Sequence, residues 1–362
     1  MSNPVSARSF PLNAWYAAAW DVDVSRTLAA ITICGIRLLL YRRRDRNVVA
    51  LEDACWHRML PLSKGRLVGD AVECGYHGLV FDPQGVCTHM PGQQRIPQQA
   101  CVRSFPVVER HRFIWVWTGD PAVADPALVP DLHWNHDPRW SGDGRTIHAK
   151  CDYRLVVDNL MDLTHETFVH AGSIGDRTVA ESPFSCTQDE RHVTVTRWML
   201  GIEPPPFWAN QYGRPGLVDR WQIIRFEAPA TVTIDVGVAA AGGHAPAGDR
   251  SQGVNAFILN TITPESETTC HYFWAIARNY RRDEQAITTE LRNGVTRIFR
   301  EDEAILEAQQ QALAAHPERR MVNLGIDIGG VRARKLIDRM IAAESGVTAG
   351  AVNEIHDSHH AQ

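Results

Sequence analysis

The stretch CWHRMLPLSKGRLVGDAVECGYHG, residues 55–78, contains two similar groups of metal-binding side chains. It opens with Cys55-x-His57 and closes with Cys74-x-x-His77, so each end supplies one thiol and one imidazole. For a chain with this cysteine and histidine content, a chance match to both groups has a probability on the order of one in a thousand. The stretch therefore predicts a metal centre within a small domain rich in turns.

Two kinds of centre use these ligands. Two cysteines and two histidines are a common ligand set for structural zinc, but the single residue between Cys55 and His57 is tighter than usual zinc-finger spacing. A [2Fe–2S] cluster of Rieske type needs two cysteines on one iron and two histidines on the other. Two loops that each supply one cysteine and one histidine meet that demand. We therefore favour the Rieske cluster, with structural zinc as the alternative.

Composition limits the classes of function. The chain has 362 residues, which is long for one domain, and its 44% hydrophobic and 22% charged residues are ordinary for a globular protein. A net charge of -5 gives no reason to expect a nucleic acid or an anionic membrane as partner. No apolar run reaches the length of a membrane span, and residues 1–10 lack the apolar region of a signal peptide. We expect a cytoplasmic protein with reduced cysteines.

The distribution of turns and periodic segments predicts two domains. Residues 1–125 read as short strands between glycine-rich turns, which is typical of a small all-β domain. Residues 119–144 are rich in Pro, Asp and Gly and resemble an interdomain linker. Residues 126–350 contain a helix at 153–169, five strand-like segments and a long helix at 284–315, which predicts an α+β domain with an antiparallel sheet. We expect residues 239–253 to form a mobile loop or lid and residues 351–362 a flexible tail.

A second constellation lies in DNLMDLTHETFVH, residues 158–170. His165 and His170 are five residues apart, which separates them by about 140° on an ideal α-helix. They converge on one ion only if the helix ends or bulges between them. Asp162 precedes His165 by three residues and would share its helical face. Taken alone, the pattern is equally consistent with a surface aspartate and two ordinary histidines.

A third ligand candidate is Asp302 in the long helix. On a helical wheel it shares an apolar stripe with Val295, Ile298, Ile305 and Leu306. A buried carboxylate is costly unless it is paired or bound to a metal. Asp302 could pair with an arginine such as Arg297, or it could join His165 and His170 in the two-histidine, one-carboxylate triad of non-haem iron enzymes. The wheel leaves both interpretations open.

Polar residues on strand faces are candidates for substrate contact. Gln222 shares a face with Ile224 and Phe226, and Asn260 shares one with Ile258 and Ile262. Such amides could orient a ring substituent or could simply be hydrogen-bonded in the core. Arg197 and Arg220 could pair with a substrate carboxylate, although a surface position is expected for both.

The order of these motifs resembles that of Rieske non-haem iron oxygenases. The likeness runs from NAWYAAAW to ARKLIDRMI and is greatest to the vanillate O-demethylase branch, which includes dicamba demethylase and toluenesulfonate methyl-monooxygenase. The segments NLMDLTHETFVH, RSFPVVERHRFIWVW, VDRWQIIRF and ITPESETTCHYFWAIARN carry it. One departure is Trp56, where the branch usually has proline, and Met59 is a second. Both could alter the cluster potential or a partner surface, but neither removes a ligand.

The resemblance implies a role for each motif residue. Four residues would bind the cluster, namely Cys55, His57, Cys74 and His77. The mononuclear Fe(II) would be bound by His165, His170 and Asp302. Asn159 would lie near the iron, and Asp162 would connect a cluster and an iron of neighbouring subunits.

The resemblance also implies an architecture and a reaction. We expect a Rieske domain, a helix-grip catalytic domain and a head-to-tail homotrimer. No dinucleotide or plant-type ferredoxin motif is present, so NAD(P)H electrons would come through a separate ferredoxin- or flavin-type reductase. The expected reaction uses O2 to demethylate a methoxylated aromatic acid such as vanillate, giving a phenol and formaldehyde. Alternatives are methyl or ring hydroxylation, N-demethylation, or, less favoured, electron transfer without catalysis.

Overall fold

The computed structural model of the protein describes residues 9–346 and divides them into two compact units. One unit comprises Phe10–Val129 together with Thr263–Ser266, and the other comprises the remaining described residues. The predicted tail at residues 351–362 lies outside the described residues, and the domain boundary at residue 125 stays a prediction. Within residues 9–346, every helix is too short or too polar to cross a membrane.

The N-terminal unit is built from three antiparallel sheets, as the alternation of short apolar runs and turns predicts. They have the strand orders β1-β11-β10, β2-β3-β4-β9 and β5-β6-β7-β8. The strands are β1 (Trp15–Trp20), β2 (Ala29–Ile33), β3 (Ile36–Arg42), β4 (Val48–Glu52), β5 (Arg66–Val68), β6 (Ala71–Glu73), β7 (Val80–Phe81), β8 (Cys87–His89), β9 (Ser104–Phe105), β10 (Val107–Arg110) and β11 (Phe113–Trp117).

The C-terminal unit contains a seven-stranded sheet with the order β12-β18-β17-β16-β15-β14-β13. Its strands are β12 (Ser141–Ala149), β13 (Phe184–Gln188), β14 (His192–Ile202), β15 (Val218–Glu227), β16 (Thr231–Ala240), β17 (Val254–Ser266) and β18 (Thr269–Arg278). The helices are α1 (Tyr153–Met161), α2 (Glu166–Val169), α3 (Arg177–Glu181), α4 (Pro206–Tyr212), α5 (Gln285–Ala315) and α6 (Ile328–Glu344). The expected α+β class is confirmed.

Two local predictions about this unit need correction. The linker predicted for residues 119–144 ends earlier, because its last residues, from Ser141 onward, already pair with β18. The helix predicted for residues 153–169 is not continuous. It stops at Met161, and a short 3₁₀ helix at Leu163–His165 separates α1 from α2.

The loop at residues 239–253 packs on one face of the seven-stranded sheet. Ala245 is buried against Trp221, and the Arg250 guanidinium lies 4.6 Å from the Trp221 ring and pairs with Asp235. Because side chains alternate along a strand, Gln222 points to the opposite face. The cavity described below lies on that opposite face, so this loop is not a lid over it.

Candidate active site

Two loops of the N-terminal unit have the same backbone closure. In each loop, the backbone N–H of the cysteine donates to the carbonyl oxygen of the residue five positions later. The backbone N–H of the residue four positions after the cysteine donates to the carbonyl oxygen of the cysteine. These bonds are Cys55 N to Leu60 O at 2.9 Å, Met59 N to Cys55 O at 2.9 Å, Cys74 N to Leu79 O at 2.8 Å and Gly78 N to Cys74 O at 3.1 Å. The two half-motifs of the sequence are therefore two copies of one local structure.

The equivalence explains one odd residue of the first loop. Gly78 has a φ of 72°, in the left-handed region that glycine adopts without steric cost. Met59 occupies the equivalent position with a φ of 60°, which is strained for a residue with a Cβ. Its side chain is exposed beside the motif, so the first loop presents an apolar group where the second presents none.

The four side chains at these loops fit a two-iron cluster. Cys55 and Cys74 are each 2% exposed and belong to the core, whereas His57 and His77 are exposed, with ring centroids 4.5 Å apart. A buried pair of sulfurs and an exposed pair of imidazoles matches the two sides of a Rieske centre. Burial raises the pKa of Cys55 to about 11, so ligation must displace the thiol proton.

The geometry fits a single ion less well. A tetrahedral zinc would draw its four ligand atoms into one compact group. Cys55, His57, Cys74 and His77 do not form such a group. Within residues 9–346, the ligand atoms that lie within 4.8 Å of one another belong to other side chains.

That compact group is formed by His165, His170 and Asp302. The break in the helix brings the two histidines together. Asp162 has an extended backbone, with φ −128° and ψ 102°, and its carboxylate accepts the Thr164 N–H at 2.9 Å to cap the new turn. His165 ends the 3₁₀ helix and His170 directly follows α2, and their ring centroids are 5.4 Å apart.

The break also changes the predicted placement of Asp162 relative to His165. We expected Asp162 and His165 to share one face of a continuous helix. Instead, the backbone carbonyl of Asp162 lies 2.7 Å from Nδ1 of His165, which leaves Nε2 of that ring directed at Asp302. Asp162 is thus close to the histidine through its main chain, and its carboxylate caps the turn.

Asp302 provides the third ligand atom from α5. It is buried, and its Oδ1 lies 3.4 Å from Nε2 of His165 and 3.2 Å from Nε2 of His170. Asp302 therefore pairs with the imidazoles of His165 and His170, and not with Arg297 as the alternative interpretation proposed. The apolar stripe around Asp302 was correctly predicted except at Ile305, whose side chain is 52% exposed.

The electrostatics of the group suit a cation. Burial raises the pKa of Asp302, but the bonds from His165 and His170 outweigh this effect and lower it to about 2. Burial lowers the pKa of each histidine, and Asp302 more than compensates, so both values are raised. Nε2 of His170 is buried and makes no hydrogen bond of good geometry, although Oδ1 of Asp302 lies 3.2 Å away, so this atom can serve as a metal ligand. The residues therefore fit a mononuclear iron.

Two further side chains orient these ligands. Nδ2 of Asn159 donates to Oδ1 of Asp302 at 3.2 Å. Nδ1 of His170 lies 2.6 Å from Oε2 of Glu301, so a carboxylate fixes the tautomer that leaves Nε2 free. Sequence reasoning missed Glu301, because it is charged and half-exposed. Its position next to Asp302 on the same helix was the signal that could have identified it.

An apolar cavity adjoins the group, between the sheet and helices α1, α4 and α5. Its mainly apolar lining is typical of sites for small ligands. Besides His165, His170 and Asp302, four charged or amide side chains line it, namely Asn159, Glu166, Arg220 and Gln222.

The substrate candidates fall into different places. Gln222 lines the cavity, whereas Asn260 lies within the sheet, where Val232 O accepts its N–H and Tyr272 donates to its Oδ1. The expectation that Arg197 and Arg220 are surface residues is wrong, since both are buried. Arg197 donates to the Thr164 hydroxyl and Arg220 pairs with Glu166.

Comparison with known proteins supports this assignment of two metal centres. Residues 14–106 match the Rieske [2Fe–2S] domain, and residues 149–343 match the vanillate O-demethylase oxygenase C-terminal domain. A vanillate O-demethylase oxygenase subunit from a Pseudomonas species is 46% identical, over 88% of this chain and 98% of that protein. An iron-sulfur subunit of a toluene-4-sulfonate monooxygenase system from Comamonas testosteroni is 40% identical, over 94% and 99% of the two chains.

Solved structures show the same fold. Dicamba monooxygenase bound to 3,6-dichlorosalicylic acid is 34% identical, with a TM-score of 0.88 over 93% of this chain and 99% of that chain. Another structure of that enzyme, with a TM-score of 0.82 and the same coverage, contains non-haem iron and dicamba. With a Rieske domain followed by this catalytic domain, the chain belongs to the Rieske non-haem iron oxygenases, in the branch of the vanillate O-demethylase oxygenases.

Proposed function

We propose that the protein is the oxygenase component of an O-demethylase that removes the methyl group of a methoxylated aromatic acid. The observation that carries the proposal is the placement of His165, His170 and Asp302 beside an apolar cavity. This chain matches almost the whole length of relatives that are named as vanillate and dicamba O-demethylases. Demethylation of an aryl methyl ether gives a phenol and formaldehyde.

The chain's own residues supply position and environment. His165, His170 and Asp302 would hold Fe(II), which supplies the activation of O2 when it is bound. Asn159 holds the Asp302 carboxylate through a hydrogen bond, and Glu301 orients His170. The apolar walls of the cavity exclude water and place the ring of the substrate against the metal group.

The same proposal assigns Cys55, His57, Cys74 and His77 to the [2Fe–2S] cluster. It is supported by the identical closure of the two loops and by the division into buried thiols and exposed imidazoles. Zinc in place of iron and acid-labile sulfide in anaerobically purified protein would contradict this assignment.

Partners follow from the chemistry. Relatives are named as an oxygenase subunit or an oxygenase component, which supports a separate NAD(P)H-dependent reductase of ferredoxin or flavin type. We also propose a homotrimer in which Asp162 connects the iron to the cluster of a neighbouring subunit. Asp162 is partly exposed and Phe168, on α2, is 75% exposed, which supports a contact surface there. The cytoplasmic location stays a prediction.

The function is tested with reconstituted protein, a compatible reductase, NADH and a panel of methoxybenzoates. Formaldehyde and the corresponding phenol should form in equal amounts, with O2 consumed. A hydroxylated product without formaldehyde would instead indicate methyl or ring hydroxylation. An Asp302→Ala protein that keeps its cluster spectrum serves as the control, since any formaldehyde it releases does not arise at the proposed iron site.

A further inference from the structure

A buried carboxylate lies at the base of the loop that begins at Cys55. Asp53 directly follows β4 and precedes Cys55 by two residues. Two residues of chain span at most about 7 Å, so the backbones of Asp53 and Cys55 lie close together. The Asp53 side chain is 0% exposed, and the burial of an ionised carboxylate is costly unless it is paired and hydrogen-bonded.

Asp53 joins the two ends of this loop through hydrogen bonds. The Ser63 N–H donates to Oδ1 of Asp53 at 2.7 Å, and the Ser63 hydroxyl donates to Oδ2 at 2.7 Å. Ser63 lies in a short 3₁₀ helix, Leu62–Lys64, that follows the loop. Nε of Arg37, on β3, also donates to Oδ2 at 2.7 Å. The carboxylate therefore holds the chain before the loop against the chain after it.

The segment that Asp53 holds also touches the second loop. Lys64 directly follows Ser63, and a Cβ added to Gly75 would lie 2.8 Å from the Lys64 carbonyl oxygen. Only glycine allows a backbone approach as close as this one. Gly75 directly follows Cys74, so the residues bonded to Asp53 adjoin both cysteine loops. The buried carboxylate therefore lies on the cysteine side of the proposed cluster.

Holding the loop does not by itself require a charge. The side-chain oxygen of an asparagine could accept the same bond from the Ser63 N–H. The charge of Asp53 is also not fully cancelled within the domain, because its partner Arg37 is 53% exposed. Solvent screens the exposed guanidinium much more than the buried carboxylate. A net negative potential therefore remains on the buried side of this ion pair.

We propose that the buried charge of Asp53 lowers the reduction potential of the [2Fe–2S] cluster, in addition to holding the first loop. Reduction adds one electron to the cluster, and a nearby negative charge in a medium of low dielectric constant opposes that addition. Net charge and solvent exposure are among the factors that set the potentials of such clusters. The inference rests on the proposed cluster ligands and goes beyond them by naming a residue that tunes the centre. A lower potential makes the reduced cluster a stronger electron donor to the iron site.

The potential is measured by redox titration of the purified holoprotein, with the EPR signal of the reduced cluster recorded at each potential. Asp53→Asn keeps the shape of the side chain and the bond to the Ser63 N–H but removes the charge. We expect its potential to shift in the positive direction. Ser63→Ala removes the hydroxyl bond and leaves the charge in place, so it loosens the loop without that positive shift.

Two further variants separate the charge of Asp53 from other effects. Asp53→Asn with Arg37→Gln removes both charges and leaves no unpaired cation, and its potential should still lie above that of the wild type. Glu109→Gln is the matched control, because Glu109 pairs at 2.7 Å with Arg42, another arginine of β3. Glu109 is 43% exposed, so the loss of its screened charge should leave the potential of the wild type.

The outcomes distinguish this inference from the cluster assignment. A wild-type protein without a Rieske EPR signal would refute the assignment, and the inference with it. A normal signal with an unchanged potential in Asp53→Asn protein would overturn the inference alone. An equal positive shift in Ser63→Ala protein would show that the loop, and not the charge, sets the potential. A return to the wild-type potential in the double variant would assign the shift to the freed Arg37 cation and would also overturn the inference.

A variant of Arg37 provides a test that does not depend on cluster assembly in Asp53→Asn protein. Arg37→Gln removes the partner of the buried carboxylate at a half-exposed position. Its potential should shift in the negative direction, by less than the positive shift of Asp53→Asn protein. A potential that stays at the wild-type value or increases would contradict the inference.

Discussion

Replacement of Glu301 by glutamine tests whether the second carboxylate on α5 sets the affinity of the iron site. The side chain keeps its shape and loses its charge, so the bond to Nδ1 of His170, now 2.6 Å long, becomes a neutral one. His170 is then held less firmly in the tautomer that leaves Nε2 free for the metal. We expect weaker binding of Fe(II), with the cluster unchanged.

The size of the effect follows from the exposure of the two partners. A hydrogen bond to a charged group contributes about 1.5–3 kcal/mol. The His170 side chain is 1% exposed, but Glu301 is 49% exposed, so solvent screens its charge and the lower end of the range applies. About 1.4 kcal/mol corresponds to a tenfold loss of Fe(II) affinity, at the lower limit of measured effects of outer-sphere ligands.

The assay is anaerobic competition for Fe(II) between the protein and a coloured chelator, with the cluster followed by its visible absorption. Glu303→Gln is the matched control, because Glu303 is on the same helix and makes no bond to either histidine. An unchanged Fe(II) affinity in Glu301→Gln protein would refute the reasoning. An equal loss in both variants would show that the helix charge, and not the bond to His170, governs the affinity.

Three other outcomes are expected. Asp302→Ala should abolish turnover and Fe(II) binding while the EPR spectrum of the reduced cluster is retained; a Glu303 variant that lost the iron instead would contradict the ligand assignment. Asp162→Asn protein should keep both metals, because asparagine also caps a helical turn. It should nevertheless oxidise its reduced cluster more slowly in single turnover. Normal turnover would show that Asp162 does not connect the cluster to the iron. Fe(II) affinity should increase from about pH 6 to about pH 8. The raised pKa values of His165 and His170 mean that Fe(II) competes with protons for these histidines at the lower pH. An Fe(II) affinity that does not change with pH would contradict those shifts.

The pKa shifts have the opposite effect on the metal-free fold. His165 and His170 have folded pKa values above their unfolded values, so their pairing with Asp302 stabilises the iron-free protein fully below the unfolded pKa. That contribution is lost as the pH increases through the folded values. Acid therefore favours the empty, folded site, and neutral pH favours the loaded one.

The sequence located the candidate ligands better than it predicted how they are arranged in space. Spacing identified the residues of the loops around Cys55 and Cys74, because two ligands within a tight turn need little tertiary information. Periodicity placed Asp302 on the buried side of α5, since one polar residue in an apolar stripe is conspicuous. Periodicity also placed Ile305 on the buried side, although that residue faces solvent. A helical wheel does not show how much of the helix surface the neighbouring elements cover.

The break at Asp162 was not predictable from helix periodicity. The segment has the composition of a single helix, and the 3₁₀ turn depends on the Asp162 carboxylate bonding to the Thr164 N–H. An aspartate competes for backbone donors in this way, but nothing local shows which aspartate will do so. The burial of Arg220 was missed for a related reason, since an arginine is expected at the surface unless its buried partner, here Glu166, is known.

The placement of the ligands along the chain sets the order in which the ribosome can complete the two centres. All four cluster residues lie between Cys55 and His77, so they emerge early in synthesis. The iron site needs His165 and His170 but also Asp302, which emerges only after all seven strands of the large sheet. A nascent chain thus contains all four candidate cluster ligands long before it contains the third candidate ligand of the mononuclear iron.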